Sequence, residues 1–463
     1  MVERPGHSIV KRASVPNVQL AHKTMEPPTS AWRRLLDDPF RLLVRTSLIL
    51  ALVGGFGLGW ALLMSFTFRV PLFANPGALI QAHGQVQALG FVALMVMGVA
   101  TRLVPVFHGA KLVGAPLVSV GGLTLASGVV LRAVSQPLPP DPLRNAAVGA
   151  SGVLVLGGVL LAFAAFGRTV RAGKPREPRE PVVLPLTMAG SLAGALLLNL
   201  IASFGLAQGS NLVPSPLDDA ILHFELWGFA TTMVLAIGRH TWPNLLLLRP
   251  ARERLTLPSL VLWAIGSLGV PLAWLLLPEA PVVRAIAATA QLAGAILYGH
   301  GLRLFEPPAR ATTIPRVTNP PRLWLRTAFA FLVFAAAANV MLALSAHVRS
   351  LAALVNASAA RHALAQGFLL PIIVFMAARI MPGFSAEMVR HPDRINALMG
   401  VLFAAALLRV GGEMIGGYAP GWNILVGAGG TLGTAAFVAF AIGVWRAREG
   451  LIQVTPLRPT VAR

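Results

Sequence analysis

The chain has no cysteine. That excludes disulfides, thiolate-ligated heme, cysteine-held iron–sulfur clusters and covalent heme attachment through a CxxCH motif. Any heme would be held non-covalently, by histidine or methionine. Tyrosine is nearly absent, at Tyr298 and Tyr418 alone. Charge is scarce too: 12% of the 463 residues carry it, about half the share of a soluble protein. Acidic side chains are the scarcest, 17 against 38 Lys and Arg, which leaves a net charge of +21. Residues 1–40 contain no apolar core ahead of a cleavage site, so they do not read as a signal peptide. Basic, polar and proline-bearing, they read as a largely disordered cytoplasmic tail. Trp32, Leu35 and Leu36, among Arg33, Arg34 and Arg41, are placed to lie on a membrane surface.

What is present is apolar length. Hydrophobic residues make up 56% of the chain and fall into twelve runs, at about 41–66, 78–104, 113–133, 145–166, 183–206, 217–238, 257–277, 281–304, 322–346, 355–380, 395–417 and 421–445. This predicts an all-α polytopic membrane protein of twelve transmembrane helices. With the N-terminus inside, about 31 of the 38 Lys and Arg fall in cytoplasmic segments and about 6 outside, with Arg409 intramembrane. The basic excess is therefore topology rather than nucleic-acid binding. Both termini are expected in the cytoplasm, with a membrane domain over 41–450 and a tail over 451–463 in a bacterial inner membrane. The connections 168–180 and 306–322 are rich in proline and arginine, and neither is expected to continue a helix. They divide the helices into three four-helix units, about 41–166, 183–304 and 322–445. A two-fold transporter would divide as six and six.

Three histidines follow the same division. His83, His223 and His362 are separated by 140 and 139 residues and fall on helices 2, 6 and 10. Each precedes a Gly-Phe pair (Gly90-Phe91, Gly228-Phe229, Gly367-Phe368), and each glycine is followed 15 residues later by proline: Pro105, Pro243 and Pro382. Imidazole is expensive in a bilayer and usually functional there. The bland alternative is helix-packing glue. All three histidines lie near helix starts, on the predicted periplasmic side. At 3.6 residues per turn, His83, seven before its glycine, shares the glycine's face. His223 and His362, five before theirs, lie about 140° away.

Other candidates cluster around them. Gln87 follows His83 on the same face and could bond a heme edge or a neighbouring helix, with Ala82 and Gly84 leaving room for a macrocycle. Ala363, Ala365 and Gly367 keep the His362 helix thin. Arg361 is either a propionate partner or an interfacial arginine. Glu225 lies two residues after His223, about 200° around the helix, and is either a proton-handling carboxylate or simply paired or protonated. Asp218 and Asp219 read as helix-capping carboxylates. His240 occupies the position of Arg102 and Arg379 and reads as an end anchor. His108, His300 and His347 read as interfacial, though any could complete a copper site. Arg409 and Glu413 lie one turn apart and can neutralise each other. His7, His22 and His391 read as solvated.

Histidines on helices 2, 6 and 10 of a twelve-helix chain resemble the catalytic subunit of heme-copper oxidases and their nitric-oxide-reductase relatives. By that resemblance His83 and His362 hold a low-spin heme and His223 a second metal. The family's His-x-His pair on helix 10 is missing, since Ala360 and Leu364 flank His362 at two residues. Residues 257–277 lack its His-His pair, and neither tyrosine replaces its active-site tyrosine. His362-Ala363-Leu364 with Gly367 and Arg379, and His83-Gly84 with Gly90-Phe91, more closely resemble the NnrS family, heme- and copper-containing membrane proteins of the bacterial nitric-oxide response. The resemblance implies one or more hemes b and copper as a further metal, with ligands among His83, His362 and His223. It also implies a role in nitric-oxide tolerance or sensing, with the redox partner open. A redox enzyme turning over NO or O₂ is the alternative, and needs His223 joined by helix-end histidines such as His108 or His240. A proton-coupled transporter is the third reading.

Overall fold

The computed structural model describes residues 36–174, 181–309, 315–345, 355–380, 390–416 and 421–446. Trp32, Leu35, His7, His22, His347 and Tyr418 lie outside them. The architecture is all-helical, with no strand among the described residues. Twelve helices are long and apolar enough to cross a membrane: α1 Pro39–Phe68, α2 Pro76–His108, α3 Ala115–Ser135, α4 Pro142–Ala172, α5 Val183–Ala207, α6 Ser215–Leu246, α7 Glu253–Leu276, α8 Pro281–Gly301, α9 Asn319–Leu344, α10 Ala357–Arg379, α11 Pro392–Ile415 and α12 Trp422–Arg446. At about 1.5 Å per residue, even the shortest spans the ~30 Å hydrocarbon layer.

Local sequence sets the ends. Proline occupies the first or second position of α1, α2, α3, α4, α6, α8 and α11, where its missing N–H costs nothing. Asp38, Asp141 and Asn356 cap α1, α4 and α10 through side-chain oxygens. Two connections differ from the sequence expectation. α4 continues past Arg168 to Ala172. The helix leading into α9 begins at Pro315 and runs through Pro320 and Pro321. Pro320 and Pro321 are its sixth and seventh residues, past the first turn, so each removes a ladder bond near the start of this helix.

The packing repeats by threes. Within the units, α3 lies on α4, α7 on α8 and α11 on α12, the most extensive pairings in the chain. Between units, α4 packs on α5, α8 on α9 and α12 on α1, which closes a ring. One glycine recurs at each inner pairing. A Cβ on Gly158 would lie 2.4 Å from Leu125 N, on Gly294 2.5 Å from Trp263 N, and on Gly429 2.6 Å from Arg409 N. Only glycine lets these backbones meet.

The three histidine helices fill the middle of the ring. The apolar windows of α2, α6 and α10 are 56%, 78% and 72% buried, and no other helix exceeds 50%. Each of the three also contains a π-helical stretch: Val86–Ala93, Phe224–Thr231 and Ala363–Leu369. Gly90, Gly228 and Gly367 each stand fifth in their stretch. A fourth stretch, Ala51–Gly57, lies in α1 opposite that of α2. π-turns are rare and gather at functional sites. They also overturn the phase expectation drawn from 3.6 residues per turn. Where i→i+5 bonds replace i→i+4, a residue five before the glycine comes back near its face. His223 and His362 therefore align with their glycines, and His83, seven before, does not.

Candidate functional site

The even-numbered helices begin at one end of the bundle, here termed the upper end. His83, His223 and His362 sit seven, eight and five residues into α2, α6 and α10, about 7–12 Å below those starts. His83 Nδ1 lies 2.9 Å from the Gly55 carbonyl oxygen in the π-stretch of α1. His362 Nδ1 lies 2.9 Å from the Ser358 carbonyl oxygen and 3.2 Å from Glu413 Oε2. His223 bonds the backbone of Gly266, and its Nε2 is buried with no partner. An imidazole nitrogen facing a carbonyl must carry the proton. His83 and His362 therefore carry a proton on Nδ1, as metal-ligating histidines anchored through one ring nitrogen do, and His223 buries an unpartnered Nε2.

Their surroundings differ. His83 packs against Gly59 of α1, where a Cβ would come within 2.5 Å of its ring. His362 belongs to a buried cluster in which Arg409 donates to Glu413 at 2.9 Å and Ser358 donates to the same carboxylate at 2.9 Å. The neutralising Arg409–Glu413 pair expected from sequence is thus present, and it also orients His362. His223 is only 3% exposed. Its ring stacks on Trp227 and meets Trp274 edge-on, each at 5.7 Å. It lines a cavity of about 180 Å³ together with Asn339, Arg284 and Arg361.

The accessory candidates are placed as follows. Gln87 lies against Gly55. Arg361 forms an ion pair with Asp219. Asp218 and Asp219 do not cap α6: the N-cap position is Pro214 and no side chain bonds the cap. Asp218 is buried instead, and Asp219 accepts from Ser215 at 3.0 Å. Glu225 points away from His223, as the 200° separation requires, and accepts from Asn199 Nδ2 at 2.7 Å. Asn199 Oδ1 in turn accepts from Arg132 Nη1 at 2.8 Å. Arg132 also donates to Gln136 at 3.1 Å, and Gln136 donates to Gln81 at 2.9 Å. This relay joins α2, α3, α5 and α6. Sequence reading missed Asn199 and Arg132, which carry no motif and show only as polar residues inside apolar runs.

Asn199 is the hinge of that relay. Asn199→Leu should cost about 1–3 kcal/mol of stability by removing the Asn199 bond from Glu225 and leaving Arg132 with Gln136 alone. Glu225→Gln, which still accepts the Asn199 bond, should leave the thermal midpoint nearly unchanged. Equal midpoints for Asn199→Leu and the parent would show that the relay is not a structural tie.

His108 and His240 sit at the lower end, where Phe107 meets the His240 ring at 6.1 Å. The 17 residues from His223 to His240 correspond to about 25 Å of helix, so these histidines do not join His223 around one metal. Among the described residues, no three His, Cys, Asp or Glu side chains converge on a common point. His300 is engaged with Arg252, and Tyr298 donates to the Leu235 carbonyl at 2.5 Å.

No protein-family model and no curated protein matches this chain.

Proposed function

We propose that this is a heme-binding inner-membrane protein of the nitric-oxide response, with both termini in the cytoplasm, as its resemblance to the NnrS family implies. One observation carries the reading: of three central imidazoles, two anchor Nδ1 on backbone carbonyls and the third buries an unpartnered Nε2. His83 on α2 and His362 on α10 would hold heme b. Glu413 supports the second of them as a carboxylate behind a ligating histidine does. His223 would hold a further heme or copper. Imidazole-held heme supplies a redox-active iron that binds diatomic gases such as NO when an axial position is open. The donor set fits heme. It offers no three-donor site for copper among the described residues, so copper enters through the resemblance alone. The same separation of donors weighs against the oxidase-like enzyme, and packing by threes weighs against the two-fold transporter.

The test is an optical spectrum of the full chain purified after expression with ample heme. Sharp Soret and α bands on dithionite reduction are expected, with a further shift on adding NO. A protein without a Soret band overturns the heme assignment. A heme protein indifferent to NO removes the nitric-oxide role and leaves the heme.

A further inference from the structure

We infer that the lower-end junction of α6, α8 and α9 binds the phosphate of an anionic phospholipid, an inference independent of any heme. Five arginines gather there around one carboxylate. Arg303, Arg252 and Arg249 approach Glu306 at 2.6, 2.8 and 3.9 Å. The Arg303 hydrogen bond, helped by the charges of Arg303, Arg252 and Arg249, holds the Glu306 carboxyl below the usual carboxylate range. Glu306 is thus ionised and committed to those three. Among the described residues, no carboxylate pairs with Arg322 or Arg326.

Backbone carbonyls hold those two in place. Arg322 Nε donates to Leu246 O at 2.8 Å and its Nη1 to Asn319 Oδ1 at 3.1 Å. Arg326 donates to Leu304 O at 2.8 Å and to Glu306 O at 2.7 Å. Arg322 is 8% exposed, yet its Nη2 has no partner. Both arginines line a cavity of about 270 Å³ with Phe305, Pro307, Asn319 and Leu323. Two guanidinium groups on one cavity wall suit an anionic oxygen acceptor, and phosphate fits their forks.

The rim says which phosphate. Leu323, 64% exposed, lies at the start of membrane-spanning α9, and Phe305, 57% exposed, lies just past the end of α8. The site therefore sits at headgroup depth with apolar side chains turned outward. A lipid uses both features, with its phosphate on Arg322 and its acyl chain over Leu323 and Phe305. A free phosphate uses one. Basic pockets between helices at this depth suit anionic headgroups.

The experiment takes the delipidated full chain in neutral detergent. Phosphatidylglycerol, phosphatidylcholine or inorganic phosphate is added, and the thermal midpoint and lipid adducts by native mass spectrometry are read. Phosphatidylglycerol alone should raise the midpoint and leave a retained adduct. Arg326→Gln should weaken its binding roughly fivefold. Leu323→Glu sits on the exposed rim, so it should leave the midpoint in detergent unchanged and abolish the phosphatidylglycerol effect. Equal protection by phosphatidylcholine would overturn the anionic site, and equal protection by inorganic phosphate would overturn the lipid as its occupant. A Leu323→Glu protein that keeps the full phosphatidylglycerol effect would place lipid binding elsewhere.

Discussion

His362→Ala and His83→Ala should each remove the sharp reduced α band from the purified, heme-replete protein. Two strong axial imidazoles make a low-spin heme, and losing either leaves a high-spin or heme-free protein. His223→Ala should leave that band in place, because its ring faces a separate cavity between Trp227 and Trp274. Glu413 gives a finer test. Glu413→Gln keeps the shape beside His362 but removes the charge that binds Arg409 and lies 3.2 Å from His362 Nδ1. Altering such a partner behind a ligand typically costs 10–100-fold in metal affinity, so heme titration of the apoprotein should show a shift of about that size. Glu413→Leu is harsher. It leaves Arg409 buried without its carboxylate, a loss on the order of 3–5 kcal/mol that should show as poor folding rather than weak heme binding. Heme that stays low-spin in both His83→Ala and His362→Ala would sink the assignment of these two ligands. Unchanged affinity in Glu413→Gln would reduce Glu413 to a packing role.

The part of this site legible in the sequence was the part that repeats. Apolar run length gives twelve spans, because lipid forces every backbone polar group into helix bonds and so writes each crossing as a long hydrophobic stretch. The His–Gly-Phe–Pro spacing gave the three central helices, since only the middle of the ring could hide three imidazoles. Helix phase was less legible: the π-turns at Val86–Ala93, Phe224–Thr231 and Ala363–Leu369 leave no residue signature beyond Gly-Phe, and 3.6-residue geometry misassigned which histidine shares the glycine's face. Long-range polar partners were not legible either. Arg361 meets Asp219 across 142 residues, and Arg132 meets Asn199 across 67. Each member looks like an ordinary end-of-helix or intramembrane polar residue until the fold brings its partner. The capping expectation for Asp218 and Asp219 failed for a related reason. Proline at position 214 and Ser215 begin α6 earlier than the apolar run does, which moves both carboxylates inside the helix.

The triplicated glycine offers the largest expected effect on folding. Gly158→Val, Gly294→Val and Gly429→Val should each prevent accumulation of folded protein. The added Cβ would fall 2.4–2.6 Å from a backbone nitrogen of the facing helix, and the next nearest atom in each case is a backbone oxygen: Gly121 O at 2.6 Å, Ser259 O at 2.9 Å and Ala405 O at 2.8 Å. A clashing side chain can change rotamer, but two helix backbones can only separate, and separating them strips contact from a whole inner pairing. Overpacking a core usually costs about 1–3 kcal/mol, and a backbone obstacle puts these sites at or above that range. That is a large share of the roughly 5–15 kcal/mol that stabilises a folded domain. Neighbouring glycines provide controls that hold propensity and depth constant. Gly157 and Gly411 have nothing within 4 Å of an added Cβ, so Gly157→Val and Gly411→Val should accumulate and melt like the parent. Fluorescence-detected gel filtration and thermal unfolding in detergent read both sets. If Gly158→Val and Gly157→Val behave alike, the close approach of α3 to α4 is wrong. If Gly158 is intolerant while Gly294 and Gly429 accept valine, the three units share a pattern of sequence but not of packing, and the three-fold ring around the histidine helices loses its support.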